Sequence, residues 1–180
     1  TLMNLLGGLD TPTSGSISVG GKQISELNPA QLALFRRETV GMIFQSFNLV
    51  PTLTAEENIE LPLDLAGRSP DRDWFDEVIR TVGLGSRLGH RSAELSGGQQ
   101  QRVAIARAMA AEPHVILADE PTANLDSHTA EELLQLMRRL NREQGTTFIF
   151  SSHDDRVIAQ ARRVIHLQDG CLVSDDTIRT

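Results

Sequence analysis

The stretch Leu95-Ser96-Gly97-Gly98-Gln99, continued by Gln100-Gln101-Arg102, decides how the rest of this 180-residue chain is interpreted. A serine, two glycines and a helix-forming run predict a capped helix whose first backbone N–H groups a ligand can approach closely. The N-terminal end of a helix carries partial positive charge, which favours phosphate groups. Taken alone, the same residues also suit a tight turn before an ordinary helix.

A short apolar run follows this helix and ends in two carboxylates. The residues Val115 to Ala118 directly precede Asp119 and Glu120. Phosphoryl transfer needs a metal ion that neutralises charge and a group that positions the nucleophile, so two adjacent carboxylates with different roles suit such a site. Surface acids at the end of a strand are the alternative interpretation.

Two further apolar runs predict strands that join the first one in a sheet. Val40 to Phe44 and Thr147 to Phe150 lack the polar alternation of a half-exposed strand, so all three runs are expected to be buried and parallel. Ligands of open α/β sheets bind beyond the carboxyl ends of the strands. We therefore expect the polar residues that follow the three runs to lie near one another: Gln45, Asp119, Glu120 and His153.

The remaining chain divides into predicted helices and hairpins. Helices are expected from Pro29 to Glu38, from a Thr54–Glu57 capping box to Leu61, from Asp73 to Val82 and from Ser127 to Gln144, and hairpin turns at Gly20-Gly21 and Asp169-Gly170. Three segments are predicted: a partial core over 1–45, a helical subdomain over 46–95, and the rest of the core over 96–180.

Composition excludes several classes of protein. The net charge of −7 argues against sequence-independent binding to nucleic acid, which needs a basic surface. The single cysteine, Cys171, excludes an internal disulfide framework and fits a reducing compartment. No apolar run reaches the roughly 18 residues of a membrane-spanning helix.

The order and spacing of these motifs resemble those of the ATP-binding-cassette (ABC) ATPases. The similar segments are the signature sequence at 95–102, the Walker B strand at 115–120, the D-loop at 121–126, the Q-loop at 44–51 and a switch histidine in Ser152-His153-Asp154. The resemblance implies an α/β P-loop NTPase fold of the RecA-like type. Such a fold has a mostly parallel sheet core and an ABC-type helical subdomain.

The resemblance also implies the roles of individual residues, with ATP and Mg²⁺ as cofactors. It implies that Glu120 is the general base and that His153 and Gln45 are further catalytic residues. It also implies that Asp119 and Gln45 bind the metal ion. Nucleotide contacts are expected from Thr1, Gln45, Ser96, Gly97, Gly98, Gln99, Asp119, Asp126 and His153. Ser96 and Gly98 are expected to close the site of a neighbouring copy.

A phosphate-binding loop of the form G-x-x-x-x-G-K-[S/T] is absent from the sequence. The only Gly-Lys pair is Gly21-Lys22, and Gln23 follows it in place of Ser or Thr. The resemblance places Thr1 just after the closing residue of that loop. We therefore expect an N-terminally truncated chain, cut before or within the Walker A motif, which lacks the first strands and binds MgATP weakly.

The predicted function is that of the ATP-binding and ATP-hydrolysing subunit of an ABC transporter. Such a subunit couples ATP-driven dimerisation, here most simply of two identical copies, to a membrane permease at the cytoplasmic face of a bacterial membrane. The strings at 47–54 and 57–63 resemble the lipoprotein-release and macrolide-export branch. The alternatives are a soluble ABC ATPase without a transport role and a non-catalytic partner cassette.

Overall fold

The computed structural model describes residues 1–178, in which helices and strands alternate along the chain. In chain order the elements are α1 (Leu2–Leu6), β1 (Ser18–Val19), β2 (Lys22–Gln23), α2 (Pro29–Thr39), β3 (Val40–Ile43), α3 (Ala55–Asp64), α4 (Arg72–Val82), a 3₁₀ turn (Ser92–Glu94), α5 (Gly97–Met109), β4 (Val115–Asp119), α6 (Ser127–Gln144), β5 (Thr147–Ser151), α7 (Asp155–Gln160), β6 (Arg163–Gln168) and β7 (Cys171–Thr177).

The three predicted strands form one parallel sheet in the order β3-β4-β5. Ile43 of β3 pairs with Ala118 of β4, and Asp119 at the end of β4 pairs with Ser151 at the end of β5. The carboxyl ends of the strands therefore lie at one edge, as the sequence predicts. The expectation of three buried strands is confirmed only for Val115–Ala118 of β4, since β3 alternates half-buried and buried residues and β5 is half-buried after an exposed Thr147. β4 is the central strand of the three, with a strand on each side.

Side-chain caps fix where several helices begin. Thr54 and Glu57 form the predicted capping box of α3, in which each side chain hydrogen-bonds the other residue's backbone N–H. The helix continues beyond the predicted end at Leu61 to Asp64, with Pro62 inside its last turn. Asn28 and Gln31 form a second capping box at the start of α2, where Pro29 occupies the first helical position.

One buried core joins the sheet to the helices on its inner face. Its members include Ile59 of α3, Phe75 of α4, Val103 of α5, Ile116 of β4 and Leu133 of α6, each with 3% of its surface or less exposed. The helices of the predicted subdomain thus share their apolar interior with β4 and α6. The boundaries of that subdomain remain a prediction.

A glycine brings β3 against α5 at very close range. A Cβ at Gly41 would lie only 2.6 Å from the backbone oxygen of Ala108, so no larger residue fits without moving one of the two elements. This approach matters for the site because Gln45 follows the end of β3 by two residues.

Two antiparallel hairpins lie outside the parallel sheet. The β6–β7 hairpin has its turn where the sequence predicts it, with left-handed backbone at Asp169 and Gly170, the geometry that an Asp-Gly pair favours. Cys171 is exposed beside this turn. No helix within residues 1–178 has the length and apolar character needed to cross a membrane.

Candidate functional site

Glu120 and His153 meet at the carboxyl edge of the sheet. The Oε1 atom of Glu120 lies 2.8 Å from Nδ1 of His153, and its Oε2 accepts a hydrogen bond of 3.1 Å from the hydroxyl of Ser152. Glu120 has 21% of its side chain exposed and His153 has 89%. Both carboxylate oxygens are therefore held, while the imidazole remains open to a ligand.

The backbone of Glu120 is held in an unusual conformation. Its φ of 44° lies in the left-handed region, which is uncommon for a residue with a Cβ. The N–H of Glu120 donates to the carbonyl of Ser151 at 2.9 Å, and its own carbonyl accepts from Ala123 N–H at 3.2 Å. The sharp turn sends the Glu120 side chain toward the end of β5 and so toward His153.

Charge at this edge shifts two pKa values. The hydrogen bond and negative charge of Glu120 raise the pKa of His153 above its ordinary value. Hydrogen bonds from Arg156 lower the pKa of Asp154 to about 2, and Thr122 adds a hydrogen bond of 3.2 Å to the same carboxylate. Asp154 also caps α7, so the helix that follows His153 is anchored to the turn after Glu120.

Asp119 and Gln45 are the residues that could hold a metal ion. Asp119 ends β4 with an exposed side chain, next to Glu120 in sequence and paired with Ser151 across the sheet. Oxygen donors of this kind suit Mg²⁺, which is usually held by one or two carboxylates together with phosphates and water. Within residues 1–178 no cluster of three His, Cys, Asp or Glu forms a protein-only cage. The donor set thus fits a Mg²⁺ that arrives with a phosphate ligand.

Gln45 is tied to the turn after Glu120 by a residue that the sequence did not single out. Asn124 donates from Nδ2 to the backbone oxygen of Gln45 at 2.8 Å, and the side chain of Gln45 itself is exposed. The two residues are 79 positions apart, and no local pattern predicts such a contact. The loop after β3 and the loop after β4 are therefore joined at the site.

Arg107 of α5 anchors the loop that follows Gln45. Its guanidinium donates to the carbonyls of Phe47 and Asn48, both at 2.7 Å. These two residues have positive φ values of 59° and 50°, so two consecutive left-handed residues are held by one side chain. Burial lowers the pKa of Arg107. A fork of donors that spans two carbonyls is a role specific to arginine.

The N-terminus of α5 has the predicted cap. The Ser96 hydroxyl accepts a hydrogen bond from Gln99 N–H, and the Gln99 side-chain oxygen accepts one from Ser96 N–H. Gly97 and Gly98 differ in what surrounds them. A Cβ at Gly98 would lie 2.4 Å from Cγ2 of Thr129, so packing against α6 already requires this glycine. A Cβ at Gly97 would meet only atoms at 3.7 Å or beyond, which is ordinary contact.

Two residues that are predicted to contact nucleotide form hydrogen bonds with the helices that follow them. The Asp126 carboxylate caps α6, and its hydrogen bonds from Thr129 lower its pKa. Thr1 precedes α1, and its carbonyl accepts from Leu5 N–H. Neither hydrogen-bonds Glu120 or His153. Their predicted contacts with nucleotide stay predictions.

Comparison with known proteins identifies the family. The profile of the family described as "ABC transporter" matches residues 1–123 of the chain. The chain belongs to the ABC transporter family. The match covers the Q-loop, the signature sequence and the Walker B strand, whereas His153 lies outside it.

Related ABC proteins match almost the whole chain. The macrolide export ATP-binding/permease protein MacB of Hyphomonas neptunium is 49% identical over 177 residues, which cover 97% of this chain and 27% of that protein. The ABC transporter ATP-binding protein YtrE of Bacillus subtilis is 45% identical over 180 residues, which cover 99% of this chain and 78% of that protein. The chain thus spans about a quarter of the length of its MacB relatives.

A solved ABC structure has the same fold. The ATP-binding cassette MJ0796, in a dimeric post-hydrolysis state bound to ADP and Pi, superposes with a TM-score of 0.88 at 40% identity. The match covers 99% of this chain and 80% of that one. The predicted α/β fold of a P-loop NTPase is confirmed.

Proposed function

We propose that this chain is the ATP-binding and ATP-hydrolysing cassette of a bacterial ABC transporter, with Mg²⁺ as the metal cofactor. The observation that carries the proposal is the Glu120–His153 pair, held at the strand ends beside Asp119. The comparisons favour this function over a soluble ABC ATPase or a non-catalytic partner, because the MacB relatives are named ATP-binding/permease proteins.

The residues of the site have separate tasks in the proposed reaction. Mg²⁺, when bound with the nucleotide, neutralises phosphate charge and orients the γ-phosphate. Asp119 and Gln45 supply oxygen ligands from the ends of β4 and β3. Glu120 accepts a proton from the attacking water, which is general-base work. Its two hydrogen-bond partners, His153 and Ser152, fix the carboxylate in one orientation.

His153 is placed to respond to the phosphate end of the nucleotide. Its imidazole is mostly exposed, and Glu120 raises its pKa, so the ring keeps its proton to a higher pH than a free histidine does. A protonated imidazole donates from both nitrogens. One N–H can remain on Glu120 while the other reaches a phosphate oxygen.

The Q-loop connects the site to a membrane partner in this proposal. Gln45 lies at the start of the loop, Asn124 ties its backbone to the turn after Glu120, and Arg107 fixes Phe47 and Asn48. A conformational change at the bound nucleotide would therefore be transmitted to the exposed part of the loop through these few hydrogen bonds. We propose that a permease at the cytoplasmic face of the membrane contacts this region.

We further propose that two copies of the cassette form the working unit. The MJ0796 relative is dimeric in a state with ADP and Pi bound. The first backbone N–H groups of α5 have no partner within the helix, so the N-terminus of this helix can meet a ligand brought by another copy. Ser96 and Gly98 would then complete the site of the neighbour from the N-terminus of α5.

The proposal is tested by replacing the base in the full-length protein. Glu120→Gln keeps the shape and the hydrogen-bond acceptor but removes the ability to take a proton, so steady-state MgATP hydrolysis should fall at least about 100-fold. Equilibrium binding of MgATP should stay within about twofold, since the base acts on water. Glu143→Gln, an exposed position in α6, is the matched control. Turnover by Glu120→Gln at the wild-type rate would remove Glu120 from this role.

A further inference from the structure

Gln101 is a buried polar side chain that the proposed reaction does not use. It lies on α5 with none of its surface exposed, and its Nε2 donates to the backbone oxygen of Pro121 at 2.9 Å. Its Oε1 atom is buried without a hydrogen-bond partner among the described residues. A buried amide with one unpaired atom is unfavourable for stability. An apolar residue would avoid this unpaired atom. We therefore look for the role of the amide in its one hydrogen bond, to the Pro121 carbonyl.

That contact is with the residue immediately after Glu120. Pro121 has no backbone N–H, so its carbonyl is the only backbone group through which this residue can be held. Pro121 is buried. Gln101 therefore fixes the C-terminal side of Glu120, while Ser151 and Ala123 hold the N–H and carbonyl of Glu120 itself.

The conformation of Glu120 needs this support. A left-handed backbone at a residue with a Cβ is strained and persists only where its surroundings impose it. A small rotation of the turn would move the Glu120 carboxylate away from His153 Nδ1 and Ser152 Oγ, which it meets at 2.8 Å and 3.1 Å. The position of the base thus depends on the position of the Pro121 carbonyl.

Gln101 also links this turn to the N-terminus of α5. Gly97 and Gln101 are four residues apart and lie on the same face of the helix. A Cβ at Gly97 would be 3.7 Å from the backbone oxygen of Asn124 and 3.8 Å from Leu125 Cδ2, so this face of α5 packs along the loop that begins at Pro121. A displacement of the N-terminal end of α5 would therefore also displace the turn at Glu120.

We infer that Gln101 is a positioning residue for the general base: through the Pro121 carbonyl it holds the Glu120 turn in the orientation that reaches His153. The inference rests on the proposed function, because Glu120 is a base only if the cassette hydrolyses ATP. It adds a residue of the signature helix that acts on the site of its own chain. This role differs from the one proposed for the N-terminus of α5, which would complete the site of the neighbour.

The test is Gln101→Met in the full-length protein. Methionine is close to glutamine in size but has no donor for Pro121, so the turn should loosen while the buried side chain still packs. We expect kcat for MgATP hydrolysis to fall roughly 10- to 100-fold, because a shift of about 1 Å in a catalytic group costs this much. KM for MgATP should stay within about twofold, because the Gln101 side chain is buried and has no surface open to a ligand. Gln135→Met, at an exposed position of α6, is the matched control, since the Gln135 amide donates to Glu131 instead.

A second readout separates positioning from general damage. The pKa of His153, followed by NMR with histidine-selective labelling, should fall toward its ordinary value in Gln101→Met, because the Glu120 carboxylate no longer faces the ring. Gln135→Met should leave the His153 pKa at the wild-type value. This readout does not depend on turnover.

The outcomes distinguish the inference from the proposed function. Wild-type protein without ATP hydrolysis would overturn the proposed function. Wild-type hydrolysis together with an unchanged kcat and an unchanged His153 pKa in folded Gln101→Met would overturn the inference alone. If Gln101→Met does not fold, Gln101→Asn, whose amide is one methylene too short to reach Pro121, is expected to show the same loss of kcat and the same fall in pKa.

Discussion

Glu120 and His153 face each other from the ends of two neighbouring parallel strands, with 2.8 Å between Oε1 and Nδ1. The register of the sheet sets this distance, because Asp119 and Ser151 are the last pair of the β4–β5 ladder and each of the two residues follows shortly after. The left-handed backbone at Glu120 turns its side chain toward His153. Strand pairing and this turn thus bring a carboxylate and an imidazole together.

The first prediction concerns the pKa of His153. Because Glu120 raises this pKa, Glu120→Gln should lower it toward the ordinary histidine value of about 6.5. Ser152→Ala removes one hydrogen bond from Glu120 but leaves its charge, so it should preserve most of the raised value. Titration of the His153 ring by NMR measures both variants. Equal pKa values in wild type and Glu120→Gln would show that the pair does not form in solution.

The same pair has a defined effect on stability with pH. A pKa that is raised on folding contributes stability that is present below the unfolded pKa and is lost as the pH rises through the folded pKa. The difference in unfolding free energy between wild type and Glu120→Gln should therefore shrink from mildly acidic to alkaline pH. Chemical denaturation at a series of pH values provides the measurement.

The second prediction concerns the acid side. The pKa of Asp154 is lowered to about 2, chiefly by Arg156, so its contribution to stability is present above the unfolded pKa of about 4 and is lost as the pH falls toward 2. Asp154→Asn should destabilise the protein by roughly 1 kcal/mol at neutral pH, a value reduced for the partly exposed pair. The deficit should shrink as the pH falls from about 4 toward 2. Asp155→Asn, on the exposed side of the same helix start, is the control.

The third prediction concerns the packing of Gly98 against α6. Gly98→Ala should destabilise the fold by about 1–3 kcal/mol, because its Cβ would overlap Cγ2 of Thr129. Thr129→Ser removes that methyl group and keeps the hydroxyl that hydrogen-bonds Asp126, so it should restore most of the loss in the double variant. Gly97→Ala, which meets no close neighbour, should cost less than Gly98→Ala. Thermal and denaturant unfolding would show whether the rescue occurs.

The fourth prediction concerns the anchor of the Q-loop. Arg107→Lys keeps a positive charge but loses the fork that spans the Phe47 and Asn48 carbonyls, so the loop should open more often. Amide hydrogen exchange across residues 46–50 should accelerate by about tenfold or more, given that hydrogen bonds to a charged group contribute about 1.5–3 kcal/mol each. Arg139→Lys, at an exposed position of α6, should leave the exchange unchanged. Unaltered protection in Arg107→Lys would mean that other contacts hold the loop.

Local chemistry accounts for what the sequence predicted well. The Thr54–Glu57 capping box and the Gly145 end of α6 lie where the sequence placed them, because each depends on residues within one turn of the helix. The partial exposure of β3 and β5 was missed because burial depends on what packs against a strand and not only on its own apolar residues. A local sequence pattern predicts the type of an element, whereas the burial of that element depends on the elements that pack against it.

The long-range contacts of the site show the same limit. Asn124 meets Gln45, and Arg107 meets Asn48, across 79 and 59 residues respectively. The spacing of residues in the sequence predicts neither contact, because an asparagine in a turn and an arginine on a helix are both common on protein surfaces. Gly98 is the opposite case. Its motif was evident, but the methyl group of Thr129 that demands a glycine there is visible only in the fold.

The interior that α3 and α4 share with β4 and α6 bears on how such cassettes can be recombined. A chimera that transplants residues 46–95 from a relative would carry new side chains into the core cluster that also holds Ile116 and Leu133 of the host. Grafts should therefore succeed only when the two parts of the core come from the same donor or are redesigned as a pair. Exchanging this region between cassettes is accordingly a problem of matching interiors as much as of matching exposed loops.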